Sequence, residues 1–148
     1  WKCYSANTWI QAFNPEKFIT IEKDELVLHS DRDQLPYLRG EDYQSWYNTD
    51  SHDGKTLRDI KIFFPKEIDF LFLDGDHSFE GVKKDWEMYG PLVRKGGVVV
   101  FHDVVYTSFD LNAPVMVKFL WDELKTKYPY VEIKSSVKES TGIGVLYV

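Results

Sequence analysis

The sequence predicts an α/β fold with a mostly parallel sheet that ends in an antiparallel hairpin. Three observations predict it. Strand-like and helix-like segments alternate from end to end, which is the mark of βαβ units. Val98-Val99-Val100-Phe101 is an unbroken apolar run, as expected of a strand buried on both faces in the middle of a parallel sheet. Four predicted strands finish in acidic or histidine residues, at Glu22, Asp50, Asp74 and His102-Asp103. In open parallel sheets ligands bind beyond the carboxyl ends of the strands, so these side chains could converge on one cleft.

The elements follow in order. Ala6, Trp9, Ile10 and Phe13 stand at helical spacing over residues 5–13, with Ser5 as N-cap, and Asn14-Pro15 ends the helix. Phe18-Ile19-Thr20-Ile21 is a β-rich run that stops at Glu22. Residues 25–40 are ambiguous, because Pro36 and Gly40 break the apolar pattern of Leu26, Val27 and Leu28. Tyr43 to Tyr47 reads as a strand, and Asp53-Gly54-Lys55-Thr56 opens a helix carrying Leu57, Ile60, Phe63 and Phe64. Ile68 to Leu73 is a strand running straight into Asp74-Gly75-Asp76-His77. An amphipathic helix over 78–94 uses Phe79, Val82, Trp86, Tyr89 and Val93, and Gly96-Gly97 turns the chain into the apolar strand. A loop over 104–113 leads to a helix from Val115 to Leu124. Tyr130 to Ile133 and Gly144 to Val148 form the closing hairpin.

The 148 residues suit one domain with a real core, and 43% apolar residues exclude a disordered chain. A net charge of −6 argues against a nucleic-acid partner, which would be met by clustered Lys and Arg. No apolar run approaches a membrane span and no signal peptide is visible, so no membrane partner is expected. The lone Cys3 excludes an internal disulfide and points to a reducing, cytoplasmic compartment. The chain opens at Trp1 rather than methionine and reads as the inside of a longer gene product.

The stretch from Ile68 through Asp74-Gly75-Asp76-His77 to Val82 resembles the fourth-strand motif of class I S-adenosylmethionine-dependent methyltransferases. Pro91 to Asp103 is similar to the helix end, turn and fifth strand that follow in that family. The nearest subgroup is the metal-dependent small-molecule O-methyltransferases, cephalosporin-hydroxylase-like and macrocin-type. The resemblance covers nearly the whole chain, and its specific part is residues 68–103. It implies a three-layer Rossmann-like domain over residues 1–148 that lacks its first strand and most of its glycine-rich loop. Trp1-Lys2-Cys3-Tyr4-Ser5 is similar to the tail of that loop, which makes Tyr4 and Ser5 candidates for the cofactor's methionine end. Cys3 stands where a glycine would let backbone amides approach. Without the first strand, the strands ending at Glu22 and Asp74 lack a neighbour, so this stretch alone is not expected to hold cofactor.

The family implies roles for the strand-end residues. Glu22 would accept bonds from both ribose hydroxyls, a task suited to an acceptor-only group. The bland alternative is a solvated acid among Lys23, Asp24 and Glu25. Asp50 or Ser51 would meet the adenine amine, unless Asp50 only caps the next helix. Asp74 would also lie beside the cofactor. Asp74, His102 and Asp103 would hold a divalent ion, magnesium or manganese. An imidazole at 102 is unusual for magnesium, and the alternative is a histidine bonded to backbone. Asp76 and His77 both stand as candidate general bases, with capping of the helix at Ser78 as the alternative. Tyr106, Phe109 and Asp110 would either cover an acceptor or pack on the next helix.

These expectations add up to S-adenosylmethionine-dependent methyl transfer to a hydroxyl of a small molecule, a sugar or natural product, with metal help. A homo-oligomer is left open. A catalytically silent methyltransferase-like domain used for binding or assembly is the second reading. A metal-dependent hydrolase ranks last, because no second ligand cluster or nucleophile motif is present.

Overall fold

A computed structural model describes residues 4–23, 42–46, 48–134 and 141–148, excepting the side chains of 4–7. The ambiguous segment 25–40 and Cys3 lie outside the described residues. The chain forms two compact units, Trp1–Thr56 and Leu57–Val148.

In the first unit, helix α1 (Tyr4–Phe13) leads to strand β1 (Phe18–Ile21), which pairs in parallel with β2 (Tyr43–Trp46). Ser5 lies inside α1, one residue past its start, and not at the cap position expected of it. Asn14 ends the helix in a left-handed conformation (φ 44°), which asparagine tolerates better than most residues. The register sets Thr20 beside Ser45, and the Thr20 hydroxyl donates to Ser45 Oγ at 2.9 Å. Helix α2 (Gly54–Phe63) begins in this unit and continues past Thr56 into the second, its start marked by Asp53 Oδ1 accepting from the Lys55 amide at 2.9 Å.

In the second unit, β3 (Ile68–Leu73), β4 (Val93–His102), β5 (Tyr130–Ile133) and β6 (Ile143–Tyr147) form a sheet of order β3-β4-β6-β5. β3 and β4 are parallel, and β6 runs antiparallel to both β4 and β5. Three of its four strands, β3, β4 and β5, therefore run the same way, with β6 opposed in a terminal antiparallel hairpin, which is the mostly parallel sheet that the sequence predicts. Helix α3 (Phe79–Tyr89) and helix α4 (Val117–Leu124) pack on each other and on the strands. Phe101, Trp121, Val99 and Leu146 are the large side chains fully shut from solvent. Trp86 and Tyr128 extend this cluster, with the Trp86 ring 5.9 Å from that of Phe101. Trp86 and the buried Tyr89 are core residues, as expected.

Three boundaries differ from the sequence reading. The helix expected to reach 94 stops at Tyr89 and tightens into a 3-10 turn over Gly90–Leu92. Pro91 explains this, because it has no amide to donate to a carbonyl one turn back, although Gly90 before it keeps a helical backbone. Val93 then already belongs to β4. Gly96 and Gly97 lie within that strand at an irregularity in its pairing with β3. Gly96 takes φ 79°, and a Cβ on Gly97 would stand 2.9 Å from the Asp69 carbonyl oxygen. Helix α4 starts at Val117, not Val115, because Val115 is held in a bridge with Ser108 through two 2.9 Å backbone bonds.

Candidate metal and acceptor site

The register of β3 and β4 sets Leu73 opposite Phe101, so Asp74 and His102 leave the sheet side by side at its carboxyl end. The chain then turns through Gly75-Asp76 and brings His77 back to the same point. The backbone of His77 is pinned there by the Met116 amide, which donates to its carbonyl at 2.7 Å. Asp103 follows His102 at φ 61°, a conformation aspartate enters more readily than most residues but at some cost. There its carboxylate reaches both imidazoles, and its side chain is only 7% exposed.

Four side chains meet there. Asp74 Oδ1 lies 3.1 Å from His77 Nε2 and 3.2 Å from His102 Nδ1. Asp103 Oδ2 lies 2.9 Å from His77 Nδ1, and Asp103 Oδ1 lies 2.9 Å from His102 Nδ1. This last pair is close but off hydrogen-bond geometry, and both atoms are buried without a hydrogen-bond partner. His102 Nε2 faces the Thr141 hydroxyl at 3.4 Å. Two imidazoles between two carboxylates favour the doubly ionic state. Close pairing with the carboxylates of Asp103 and then Asp74 pushes His77 up to about 9 and His102 up to about 10, against a smaller opposing effect of burial. For Asp74 and Asp103, burial pulls the pKa up but is outweighed by the bonds from His102 and His77, leaving both below the ordinary carboxylate value.

Asp76 is engaged differently. Its Oδ1 accepts from the Ser78 amide at 2.9 Å, and Ser78 Oγ accepts from the Gly81 amide at 3.0 Å as the N-cap of α3. Gly81 belongs to this arrangement, since a Cβ there would come within 2.2 Å of Asp76 Cγ. Of the two candidate bases, His77 therefore joins the cluster and Asp76 lies against the start of α3.

The first unit repeats the strand-end pattern by itself. The Glu22 amide donates to the Trp46 carbonyl at 2.9 Å and the Glu22 carbonyl accepts from Thr49 at 3.1 Å, which fixes the backbone just beyond β1. Asp50 Oδ1 accepts from the His52 amide at 2.8 Å, and Lys23 Nζ lies 3.3 Å from its Oδ2. These contacts, the His52 amide first, hold Asp50 below the usual carboxylate value. Asp50 thus shapes the turn before α2, while Asp53 caps the helix. Ser51 stands in the same turn. Tyr4 and Ser5 open α1, and their side chains lie outside the described residues.

Phe109 and Tyr106 are exposed in the loop after β4, and Phe109 leans on Phe119 of α4 with ring centroids 6.1 Å apart. A depression of about 310 Å³ lined by Lys61, Phe64, Ile68 and Leu92 lies at the amino ends of β3 and β4, away from all four clustered residues. Two features were missed by sequence reasoning, the Asp103 contact to His77 and the Thr141 contact to His102. The first has a signal in the adjacent His102-Asp103 pair. The second spans 39 positions and has none. Among the described residues no helix is long and apolar enough to cross a membrane.

Comparison with known proteins gives the family and the fold. A family model described as a methyltransferase domain matches residues 4–104. The chain belongs to that methyltransferase-domain family, and its fold is the Rossmann-like α/β fold of class I methyltransferases. Solved structures share that fold at low identity. A Staphylococcus aureus protein assigned as a caffeoyl-CoA O-methyltransferase gives a TM-score of 0.67 at 18% identity, over 97% of this chain and 69% of its own. MycE methyltransferase of the mycinamycin biosynthetic pathway, in complex with Mg and SAH, gives 0.62 at 15% identity, over 99% of this chain and 40% of its own. A 52-residue stretch is 49% identical to an uncharacterized protein of Acanthamoeba polyphaga mimivirus, covering 35% of this chain and 23% of that protein. The chain thus spans less than half the length of two of these three relatives.

Proposed function

We propose that this chain is the core of an S-adenosylmethionine-dependent O-methyltransferase that methylates a hydroxyl of a small molecule, a sugar or natural product, with the help of a divalent ion. The observation that carries the reading is the cluster of Asp74, His77, His102 and Asp103 at the carboxyl end of β3 and β4 in a methyltransferase domain. Its placement is where an open parallel sheet binds ligands. Its chemistry suits acceptor activation. MycE, which shares the fold, was solved with Mg and SAH, which supports both a sulfonium donor and an ion.

The residues fit an ion. Asp74, His77 and His102 can each offer one ligand atom, all within 4.8 Å of one another. Buried, unpartnered atoms of His102 and Asp103 face the same point. A bound divalent ion would lower the pKa of an acceptor hydroxyl and orient it. The chain's own residues do the rest. Asp74 sits first beyond β3 and presents a carboxylate to that point. Asp103 holds the His77 ring through its Nδ1, 2.9 Å from Oδ2. Asp76 keeps the start of α3 in place, which fixes the turn that carries His77.

Glu22 is the residue we assign to the ribose, since a carboxylate fixed just beyond β1 can accept from two hydroxyls at once. Asp50 and Ser51 would border the adenine, and Tyr4 and Ser5 the methionine end. A net charge of −6 argues against a nucleic-acid acceptor.

The test is calorimetric binding of S-adenosylhomocysteine to the full-length protein, followed by methyl transfer from labelled S-adenosylmethionine to hydroxylated acceptors. Glu22→Ala removes two charge-assisted bonds worth about 1.5–3 kcal/mol each and should weaken binding at least tenfold. Failure of the full-length protein to bind the cofactor product at any concentration would remove the reading.

A further inference from the structure

We propose that the depression at the amino ends of β3 and β4 binds a small amphipathic carboxylate, an apolar body of one or two rings bearing a single acid group. The body would sit on Phe64, Ile68 and Leu92, and Lys61 and Lys66 would hold the acid. The inference goes beyond methyl transfer and stands whether or not that reading holds. All of these residues belong to the second unit.

Shape comes first. The depression holds about 310 Å³. Small-molecule sites run from about 300 to 1,000 Å³ and are mostly apolar with a few placed polar groups. The volume lies at the small end of that range, which sets the size of the ligand. The floor is apolar. Ile68 is 8% exposed, and Phe64 and Leu92 are half-buried against the core. The walls are already fixed. The Phe64 amide donates to the Ile60 carbonyl at 2.8 Å, and Ile68 pairs with Val93 in the sheet. The Val93 amide donates to the Gly90 carbonyl across the turn that carries Pro91 and Leu92. Pro65 and Pro91 stand on the rim, each with φ locked by its ring. A site built from fixed backbone loses little freedom when a ligand enters.

Charge then selects the ligand. Lys83, Lys118, Lys125, Lys127 and Lys134 each lie within 4.0 Å of a carboxylate. Among the described residues Lys61 and Lys66 do not, and Glu67 beside them pairs with neither. Two cations without counter-ions therefore border an apolar floor, in a chain whose net charge is −6. The opposing charges are weaker. Glu67 carries one negative charge, and the C-terminal end of α2, where Lys61 lies, acts as about half of one. The balance stays positive, so an anion is favoured over a neutral or cationic ligand. An apolar body displaces water from Phe64, Ile68 and Leu92, while its acid group stays at the rim where the lysine heads keep their own water.

Amide NMR of the full-length protein tests this, with naphthylacetate as probe and naphthylacetamide and naphthylethylammonium as its neutral and cationic matches. We expect naphthylacetate to shift the amide signals of Lys61, Phe64, Ile68 and Leu92 saturably. It should bind about three- to tenfold more tightly than the amide, as two exposed ion pairs allow, and the ammonium should bind more weakly still. Lys61→Gln combined with Lys66→Gln should bring naphthylacetate down to the affinity of the amide, with signals elsewhere unchanged. High salt should narrow the same gap. Signals at these four positions that stay put at millimolar naphthylacetate would overturn the proposal. So would equal affinity for the acid and the ammonium, or an unaltered affinity in the double variant. The same shifts on raising protein concentration alone would show that a second copy fills the depression, and would overturn it too. S-adenosylhomocysteine is added in parallel. Loss of naphthylacetate binding in its presence would place the probe in the cofactor site and refute this inference. Naphthylacetate binding by a protein that does not bind S-adenosylhomocysteine supports this inference and refutes the methyl-transfer reading alone.

Discussion

Gly144 offers a direct test of how tightly the sheet behind the site is packed. It pairs with Phe101, one position from the pairing of Ile143 with His102, and it lies under the Trp121 ring. A Cβ on residue 144 would stand 2.8 Å from each of three carbons of that ring. Ordinary contact between carbons is about 3.5–4.0 Å, so ring and strand must separate by roughly 0.7 Å or more. Trp121 has little freedom to retreat. It is fully buried, packed 5.9 Å from Phe101 and edge-on at 5.7 Å to Tyr130, and its Nε1 donates to Glu132 Oε1 at 3.0 Å. Forcing a methyl into such a core costs about 1–3 kcal/mol. Alanine recovers roughly 0.5–1 kcal/mol of that through the smaller entropy loss of its backbone. The difference spans about 0–2.5 kcal/mol, and the lack of room for Trp121 to retreat puts the expectation for Gly144→Ala at about 1–2 kcal/mol of destabilisation. At about 2–4 °C per kcal/mol for a domain of this size, thermal unfolding followed by far-ultraviolet circular dichroism should show Tm lowered by about 2–8 °C. An unchanged or raised Tm would show that Trp121 moves freely and that the packing argument is wrong.

The other predictions concern charge and capping. In the metal-free protein, His77 and His102 carry folded pKa values of about 9 and about 10, above the ordinary 6.5. Their contribution to stability is complete below about pH 6.5 and is lost as pH rises through 9–10, so Tm should fall over that window, and Asp103→Asn should flatten the fall. Glu132 is the opposite case, since Lys134, Trp121 and Lys125 bring it down to about 2 from 4.5. Its contribution is present above about pH 4.5 and is lost as pH drops toward 2, so Glu132→Gln should reduce the loss of Tm on the acid side. Ser78→Ala removes the N-cap of α3 and should cost about 1 kcal/mol by chemical denaturation. Gly81→Ala should cost more, because it also displaces the Asp76 carboxylate.

The fold was legible where one pattern dominated. Phe70 to Leu73 and Val98 to Phe101 are unbroken apolar runs, and both lie in strands of the sheet. Errors fell where a local signal competed with the run. Val93 continues the helical apolar spacing of Val82 and Tyr89, yet Pro91 had already ended the helix. Val115 extends the apolar face of α4, but its backbone is taken by Ser108. The tight Gly97 and Gly144 contacts depend on partners far along the chain, and composition shows only that glycines are there.

The site was legible in membership but not in its division of labour, and the reason is geometric. A parallel register fixes where strand ends meet, so Asp74, His102 and Asp103 could be read as neighbours from sequence alone. What each atom does depends on side-chain direction, and that is set by one backbone angle. Asp103 follows an extended strand, and a residue continuing that strand would project to the opposite side from His102. Its φ of 61° breaks the alternation, and its carboxylate lies 2.9 Å from both His77 Nδ1 and His102 Nδ1. Sequence pattern carries no sign of such a turn except that aspartate is among the residues that tolerate it. The same turn makes the arrangement testable through the backbone. Asp103→Gly relieves the conformation but removes the carboxylate, so it should lose ion affinity without losing the course of the chain. Asp103→Ala keeps the strain and loses the bonds, so it should lose both affinity and stability. Equal Tm values for these two variants would mean that the left-handed turn is not what places this group.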